Sequence, residues 1–342
     1  MEENRTELAE LGEFGLIDEL SKGFQLSKGS SLLGIGDDAA IIDSNGQLVV
    51  TSKDMLCEGV HFNMMYTPLQ HLGYKAVVVN LSDIYAMNAE PTQIMVGLAM
   101  SNRFSVEAVK EIYAGIQKAC ARYDVDLIGG DVSSSMSGLI LSITSIGLVN
   151  EDEYVKRSGA SKGDLLLLSG DVGGAYMGLQ LLEREREVFE AAPTAQPDLS
   201  GYDYILERQL KPEPRKDVID LLNELEVRPT AMIDVSDGLA SEALHIAKAS
   251  KTSVKIDEDK IPIHPQTKQA AEQFNLDSTT PCLNGGEDYE LLFTVKQQDY
   301  DKIKNIPEWT IIGYMGAADE ESELIARSGQ RVPLKAQGWR HH

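Results

Sequence analysis

Apolar positions change their period several times along the chain. Residues 7–24, "ELAELGEFGLIDELSKGF", carry them at helical spacing and predict an opening helix. "AAIIDSNGQLVVTSKDM" (39–55) reads as strand, Asn45-Gly46 turn, strand. "LQHLGYKAVVVNLSDIYAMNA" (69–89) predicts a long, mostly buried helix, and "TQIMVGLAM" (92–100) a strand. "SVEAVKEIYAGIQKACARYD" (105–124) is an amphipathic helix, with Ser105 as its cap and Glu107 and Glu111 early in it. "VDLIGGD" (125–131) predicts a short strand running into a glycine turn, and "GLILSITSIGLV" (138–149) an alternating strand.

The second half repeats the mixture. "DLLLLSG" predicts a buried strand and "GDVGGAYMGLQLLE" a glycine turn feeding a helix. "EREREVFEAAPTAQPDLSGYD" (183–203) reads as a surface loop or frayed helix. Helices are predicted in "PRKDVIDLLNEL" and "LASEALHIAKAS", and strands in "TAMIDVSDG", "SVKID", "YELLFTV" and "WTIIGYM". Strands and helices interleave throughout, so each half is an α/β or α+β domain. The first closes near Val149, which divides the chain into 1–149 and 150–342; no exact repeat relates the halves.

Composition narrows the function. A length of 342 residues suggests two or three domains, and 42% hydrophobic with 25% charged content places the chain among soluble globular proteins. A formal net charge of −23 argues against a general nucleic-acid or anionic-membrane binder, so an anionic substrate would need local Lys/Arg or bound cations. No apolar run approaches the roughly 18 residues of a membrane span, and the acidic N-terminus has no signal-peptide core. Cys57, Cys120 and Cys282 form no CxxC pair and read as reduced thiols of a cytoplasmic protein. The terminal His341 and His342 are set aside from the chemistry.

"GIGDDAA" (34–40) has the G-x-G-x-x-A spacing of a dinucleotide-binding turn, but a strand follows it where that motif opens a helix. Asp37 and Asp38 would also repel a phosphate, unless a cation lies between. Other acids share the context of a strand end or glycine turn: Asp54, Asp83, Asp131, Asp234, Asp237, Glu287 and Asp288. Any one of them alone is more often a turn or cap residue than a ligand. Six or more at the ends of apolar strands favour an acid-lined site for Mg²⁺, a hard ion that takes carboxylate, water and phosphate oxygens. Walker A and protein-kinase signatures are absent, which leaves a metal-mediated phosphate site open.

Taken in order, "GEFGLI", "GIGDDAA", "DMLCEGVHF", "YKAVVVNLSDIYAMNAEP", "LIGGD", "RSGASKGD", "IDVSDGL", "GGEDYELLF" and the closing "GW" resemble the thiamine-monophosphate kinases of the aminoimidazole-ribonucleotide synthetase-like superfamily. The resemblance implies a mixed α/β fold of two domains, the first forming a barrel across a homodimer interface. It implies Mg²⁺-assisted in-line transfer of a phosphoryl group from ATP to thiamine monophosphate. As metal ligands it implies Asp38, Ser52, Asp54, Asp83, Asp131, Asp234 and Asp237, with Asp83 and Asp237 closest to catalysis. Tyr113, Gly130, Asp131, Arg157 and Ser236 fall at nucleotide-contacting positions, and His61, Glu287 and Trp339 match the acceptor pocket. Lys53 departs from the family, which has a small hydroxyl residue there. Lys75 stands at an unusual place in a buried helix, from which it could reach phosphate, and is left outside the site. The rivals are selenophosphate synthetase-like, purine-biosynthesis or hydrogenase-maturation enzymes of the same superfamily, and a non-catalytic acidic cation-binding protein. The acceptor phosphate is largely ionised near neutral pH, its second pKa being about 6, so no strong general base is required.

Overall fold

The computed structural model describes residues 29–336 except 34, 35, 45 and 195. The opening helix, Gly34, Asn45, Trp339, His341 and His342 lie outside the described residues. The first half forms a six-stranded sheet in the order β1-β2-β3-β6-β4-β5. Its strands are β1 (Ser31–Leu33), β2 (Ala40–Asp43), β3 (Leu48–Cys57), β4 (Glu90–Met100), β5 (Asp126–Ser134) and β6 (Ile140–Val149). All pairs are antiparallel except β4 with β5. In β6 every second residue is buried: Leu141, Ile143, Ser145, Gly147 and Val149. This face is covered by helix α1 (Leu69–Ala86) and, beyond it, α2 (Val106–Tyr123). The opposite face carries half-exposed side chains, and every residue of edge strand β5 is exposed.

Helix α1 is the pivot of the molecule. From Leu72 to Ala86 it is buried on nearly all sides, including its β-branched run Val77–Val79, which packing rather than propensity stabilises. It touches β3, β4, β6 and α2 of the first half, and elements of the second.

The second half contains helices α3 (Gly174–Ala191), α4 (Asp203–Leu210), α5 (Lys216–Glu224) and α6 (Leu239–Ser250). Its seven-stranded sheet runs β13-β12-β9-β11-β7-β10-β8. The strands are β7 (Leu165–Ser169), β8 (Ala231–Asp234), β9 (Ser253–Asp257), β10 (Leu291–Val295), β11 (Trp309–Gly316), β12 (Glu323–Ile325) and β13 (Arg331–Pro333). Alternate residues of β7 and β10 enter different cores. Leu167, Leu291 and Phe293 join α1 and α5 in a core that spans both halves, while Leu166, Leu168 and Leu292 pack with α6. Among the described residues no helix is long and apolar enough to cross a membrane.

Three local readings change. β5 does not turn at Gly129-Gly130 but continues to Ser134, because β4 pairs with it along its whole length. Helix α3 extends through "EREREVFEA", where Arg186 bonds Glu183 and Glu190 one turn away on either side. Asp54 and Asp83 stand at no strand end: Asp54 is in the interior of β3 and Asp83 is in the last turns of α1.

Candidate functional site

A cavity of about 700 Å³ opens between the two halves. Asp38, Ser52, Asp54, Asp83, Asp234 and Asp237 line it. Each acid arrives on a different kind of element. Asp38 follows Gly36, whose φ of 122° favours glycine. Asp54 alternates with Ser52 on the covered face of β3, Asp83 projects from α1, and Asp234 ends β8. Carboxylate oxygens of Asp38, Asp83 and Asp234 lie within 4.8 Å of one another, the only such cluster among the described residues.

Neighbouring polar groups fix this cluster. Ser52 donates its hydroxyl to Asp83 Oδ2, and Ser82 donates to Asp234 Oδ2 at 2.7 Å. Asn80, one helical turn before Asp83, accepts from the Asp54 amide at 2.9 Å. Arg157 grips both oxygens of Asp38, at 2.9 and 2.8 Å, while its amide donates to Asp37 Oδ1 at 3.1 Å. Asp37 also accepts from the Asp38 amide at 3.1 Å, which ties the turn together.

Electrostatics sets these acids apart. Burial and then the negative charges of Asp54, Asp234 and Asp38 push the Asp83 carboxyl well above the usual range. Burial and Asp38 raise Asp234 to about 7, and burial and Asp38 raise Asp37 to about 6. Burial opposes the charge on Arg157, but Asp38, Glu242 and Asp37 outweigh it and hold the guanidinium charged. The donor set fits a hard divalent cation: buried carboxylates crowd together, and Arg157 offsets only one of them directly.

The remaining predicted residues divide. Ser236, His61, Glu287 and Arg157 line the same cavity, as does Lys53. His61 accepts the Cys57 amide at Nδ1, 3.0 Å away. Tyr113, Gly130 and Asp131 do not line it. Tyr113 packs against the core from α2. Asp131 pairs with Gly97, which pairs with Ser142, so the register aligns it with the open face of the sheet. Gly130 has a packing reason to be glycine: a Cβ there would lie 2.0 Å from the Val96 carbonyl oxygen.

Several cavity residues escaped the sequence reading. Glu242 accepts the Asp237 amide at 2.8 Å; burial and then Asp237 raise its carboxyl well above the ordinary range. Tyr66 donates to Glu183 at 2.6 Å, and Arg186 holds the other oxygen of Glu183. The Tyr66–Glu183 pairing crosses 117 positions and leaves no local signal, whereas Glu242 lies only five positions from Asp237. Asn80 and Ser82 could have been found, as polar residues inside an otherwise apolar helix.

Residues 36–149 match the AIR synthase related protein N-terminal domain, and residues 161–325 the AIR synthase related protein C-terminal domain. The chain is 33% identical over 335 residues to the thiamine-monophosphate kinase of Aquifex aeolicus, covering 98% of this chain and 99% of that one. It is 32% identical over 338 residues to the thiamine-monophosphate kinase of Bacillus subtilis, covering 97% and 99%. The structure of AaThiL complexed with AMPPCP and TMP superimposes with a TM-score of 0.83 at 30% identity, covering 99% of this chain and 100% of that one.

Proposed function

The chain belongs to the thiamine-monophosphate kinase family of AIR synthase related proteins, and from that membership we propose that it transfers the γ-phosphoryl group of ATP to thiamine monophosphate. The observation that carries this reading is the Asp38–Asp83–Asp234 cluster lining the cavity between the halves. With family membership alone the reading would rest on likeness; the cluster supplies the chemistry.

Asp38, Asp83 and Asp234 would hold Mg²⁺, with Ser52, Asp54, Asp237 and Asp131 as the further ligands the family resemblance assigns. When bound, such ions neutralise phosphate charge and stabilise the charge that develops during transfer. The chain's own residues supply the rest. Ser52, Ser82 and Asn80 hold the acids in place before substrate arrives, so little reorganisation remains at the moment of reaction. Ser236 and Arg157 are assigned to the nucleotide, together with Tyr113 and Gly130. His61 and Glu287, with Trp339 outside the described residues, are assigned to the acceptor. Asp83 and Asp237 are the acids we place nearest the transferred group. The two halves, 1–149 and 150–342, are the two domains of this reading; they share part of one core and close one site between them. Free Cys57, Cys120 and Cys282 fit a cytoplasmic enzyme, which cell fractionation tests. In a coupled assay we expect Mg·ATP turnover to ADP to depend on thiamine monophosphate; equal ADP release without it would sink the assignment.

We also infer a homodimer built on the first sheet, closing a barrel across the interface. Strand β5 is an unpaired edge, and Leu127, Ile128 and Val132 on it are 42–60% exposed, with Met55 and Met95 nearby on the open face of the sheet. Such an edge invites pairing with a second copy. Gly130 and Asp131 lie on this edge, which links their assigned roles to assembly. Sedimentation equilibrium should give twice the chain mass, and Val132→Glu should shift it toward the monomer. A monomeric parent protein at micromolar concentration would remove this inference.

A further inference from the structure

Lys75 is almost fully enclosed, 3% exposed, in the middle of α1. A buried ammonium is costly unless it is paired and hydrogen-bonded. Its Nζ lies 3.1 Å from both oxygens of Glu287 and donates to the Gln209 carbonyl oxygen at 3.0 Å. Gln209, which also lines the cavity, donates its side-chain amide to Glu287 Oε2 at 2.9 Å. Glu287 is therefore held from two elements, one in each half of the molecule.

The main chain at Glu287 is already fixed. Its φ is 59°, an uncommon left-handed value, and its amide donates to the Ser236 carbonyl oxygen at 2.7 Å. Preceding Gly286 has no room for a side chain, since a Cβ would lie 2.4 Å from that same carbonyl oxygen. What remains free is the set of side-chain torsions, and Lys75 and Gln209 settle those. On α1, Lys75, Val79, Ser82 and Asp83 follow at helical spacing along one face. The helix that carries Asp83 and steadies Asp234 through Ser82 thus also aims Glu287.

We propose that Lys75 is a positioning residue for the phosphoryl acceptor: it keeps Glu287 pointed into the cavity, where the carboxylate meets the positively charged heteroaromatic ring of the substrate. The inference rests on the proposed function. Glu287 is 24% exposed at its side chain, so an unrestrained carboxylate would turn toward water and lose that orientation. The Gln209 Oε1 atom beside this carboxylate is buried without a hydrogen-bond partner, so the amide is oriented by its bond to Glu287.

The test compares the full-length parent protein, Lys75→Met, Glu287→Gln and the double variant in steady-state assays with thiamine monophosphate and Mg·ATP. Lys75→Met should raise the KM for thiamine monophosphate by about ten- to a hundredfold, the scale of a lost charge-assisted contact, while the KM for ATP and kcat move less than about threefold. In the Glu287→Gln background the Lys75→Met change should add nothing to the acceptor KM, because Lys75 acts through Glu287. An unchanged acceptor KM, or equal losses for ATP and acceptor, overturns the proposal. If Lys75→Met alone does not fold, the double variant, which removes both charges, is compared with Glu287→Gln: equal acceptor KM sustains the proposal and a further tenfold loss overturns it. A parent protein with no turnover of thiamine monophosphate overturns the functional assignment instead, and this inference with it.

Discussion

Asp83→Asn is expected to reduce phosphoryl transfer by at least about a thousandfold while leaving the fold intact. Asp83 sits where three carboxylates meet and is the member that α1 presents to both others. Asparagine keeps the shape and can still accept the Ser52 hydroxyl, so the local packing survives. What it removes is one negative charge and a ligand oxygen with full anionic character. Single-turnover measurements with saturating Mg·ATP and thiamine monophosphate would isolate the chemical step. Turnover near the parent value would mean that the acid cluster is not the centre of the reaction.

The same substitution should not destabilise the metal-free protein. The folded-state pKa values of Asp83 and Asp234 are raised, the latter to about 7, against about 3.8 for a free aspartate. Between those values the folded chain binds protons that the unfolded chain has released. Stability therefore falls as pH rises through that window, the reverse of a salt-bridged acid. At pH 8 without divalent cation, Asp83→Asn should raise the melting temperature, by about 2 °C, because its amide can donate to the neighbouring carboxylates. The parent should in turn melt higher at pH 6 than at pH 8 in chelator. A lower melting temperature for the variant at pH 8 would show that the cluster is satisfied without cations.

The order of helices and strands is legible in the sequence because each buries one face, or two, at a fixed period. Asp234 ends its strand as the pattern of "TAMIDVSDG" suggests. Asp54 and Asp83 do not end strands, and they reach the cavity for another reason. Alternation in β3 turns Asp54 and Ser52 toward α1, and the helical repeat turns Asp83 back toward β3. That convergence is a property of packing between elements, which period alone does not encode. The grip of Arg157 on Asp38, across more than a hundred residues of chain, is of the same kind. Asp131 illustrates the opposite limit. Its motif suggests a ligand, but its register places it on the open face of the sheet, where only an assembly could bring it to a site. Lys75 stands out as a charge in an apolar helix, yet its partner Glu287 lies 212 positions away and is brought to it only by the fold.

Nucleotide binding should in turn collapse when divalent cations are removed. Asp38, Asp54, Asp83, Asp234 and Asp237 all line the cavity that must accept a triphosphate. Arg157 also lines it but is committed to Asp38 through both oxygens, and Lys75 is committed to Glu287. Two like charges about 6 Å apart at an effective dielectric near 20 repel by about 3 kcal/mol, and several such pairs arise between the phosphates and these acids. Calorimetric titration with a non-hydrolysable ATP analogue should thus give an affinity at least about a hundredfold lower in chelator than in Mg²⁺. A phosphate site built on arginine and lysine would behave differently, keeping its affinity in chelator and losing it in high salt. Unchanged affinity in chelator would therefore transfer the role of phosphate binding from the acids to Lys53, Arg157 and Arg186. Circular dichroism on the chelated sample separates the two causes of a loss, since repulsion weakens binding in a folded protein whereas unfolding removes the signal itself.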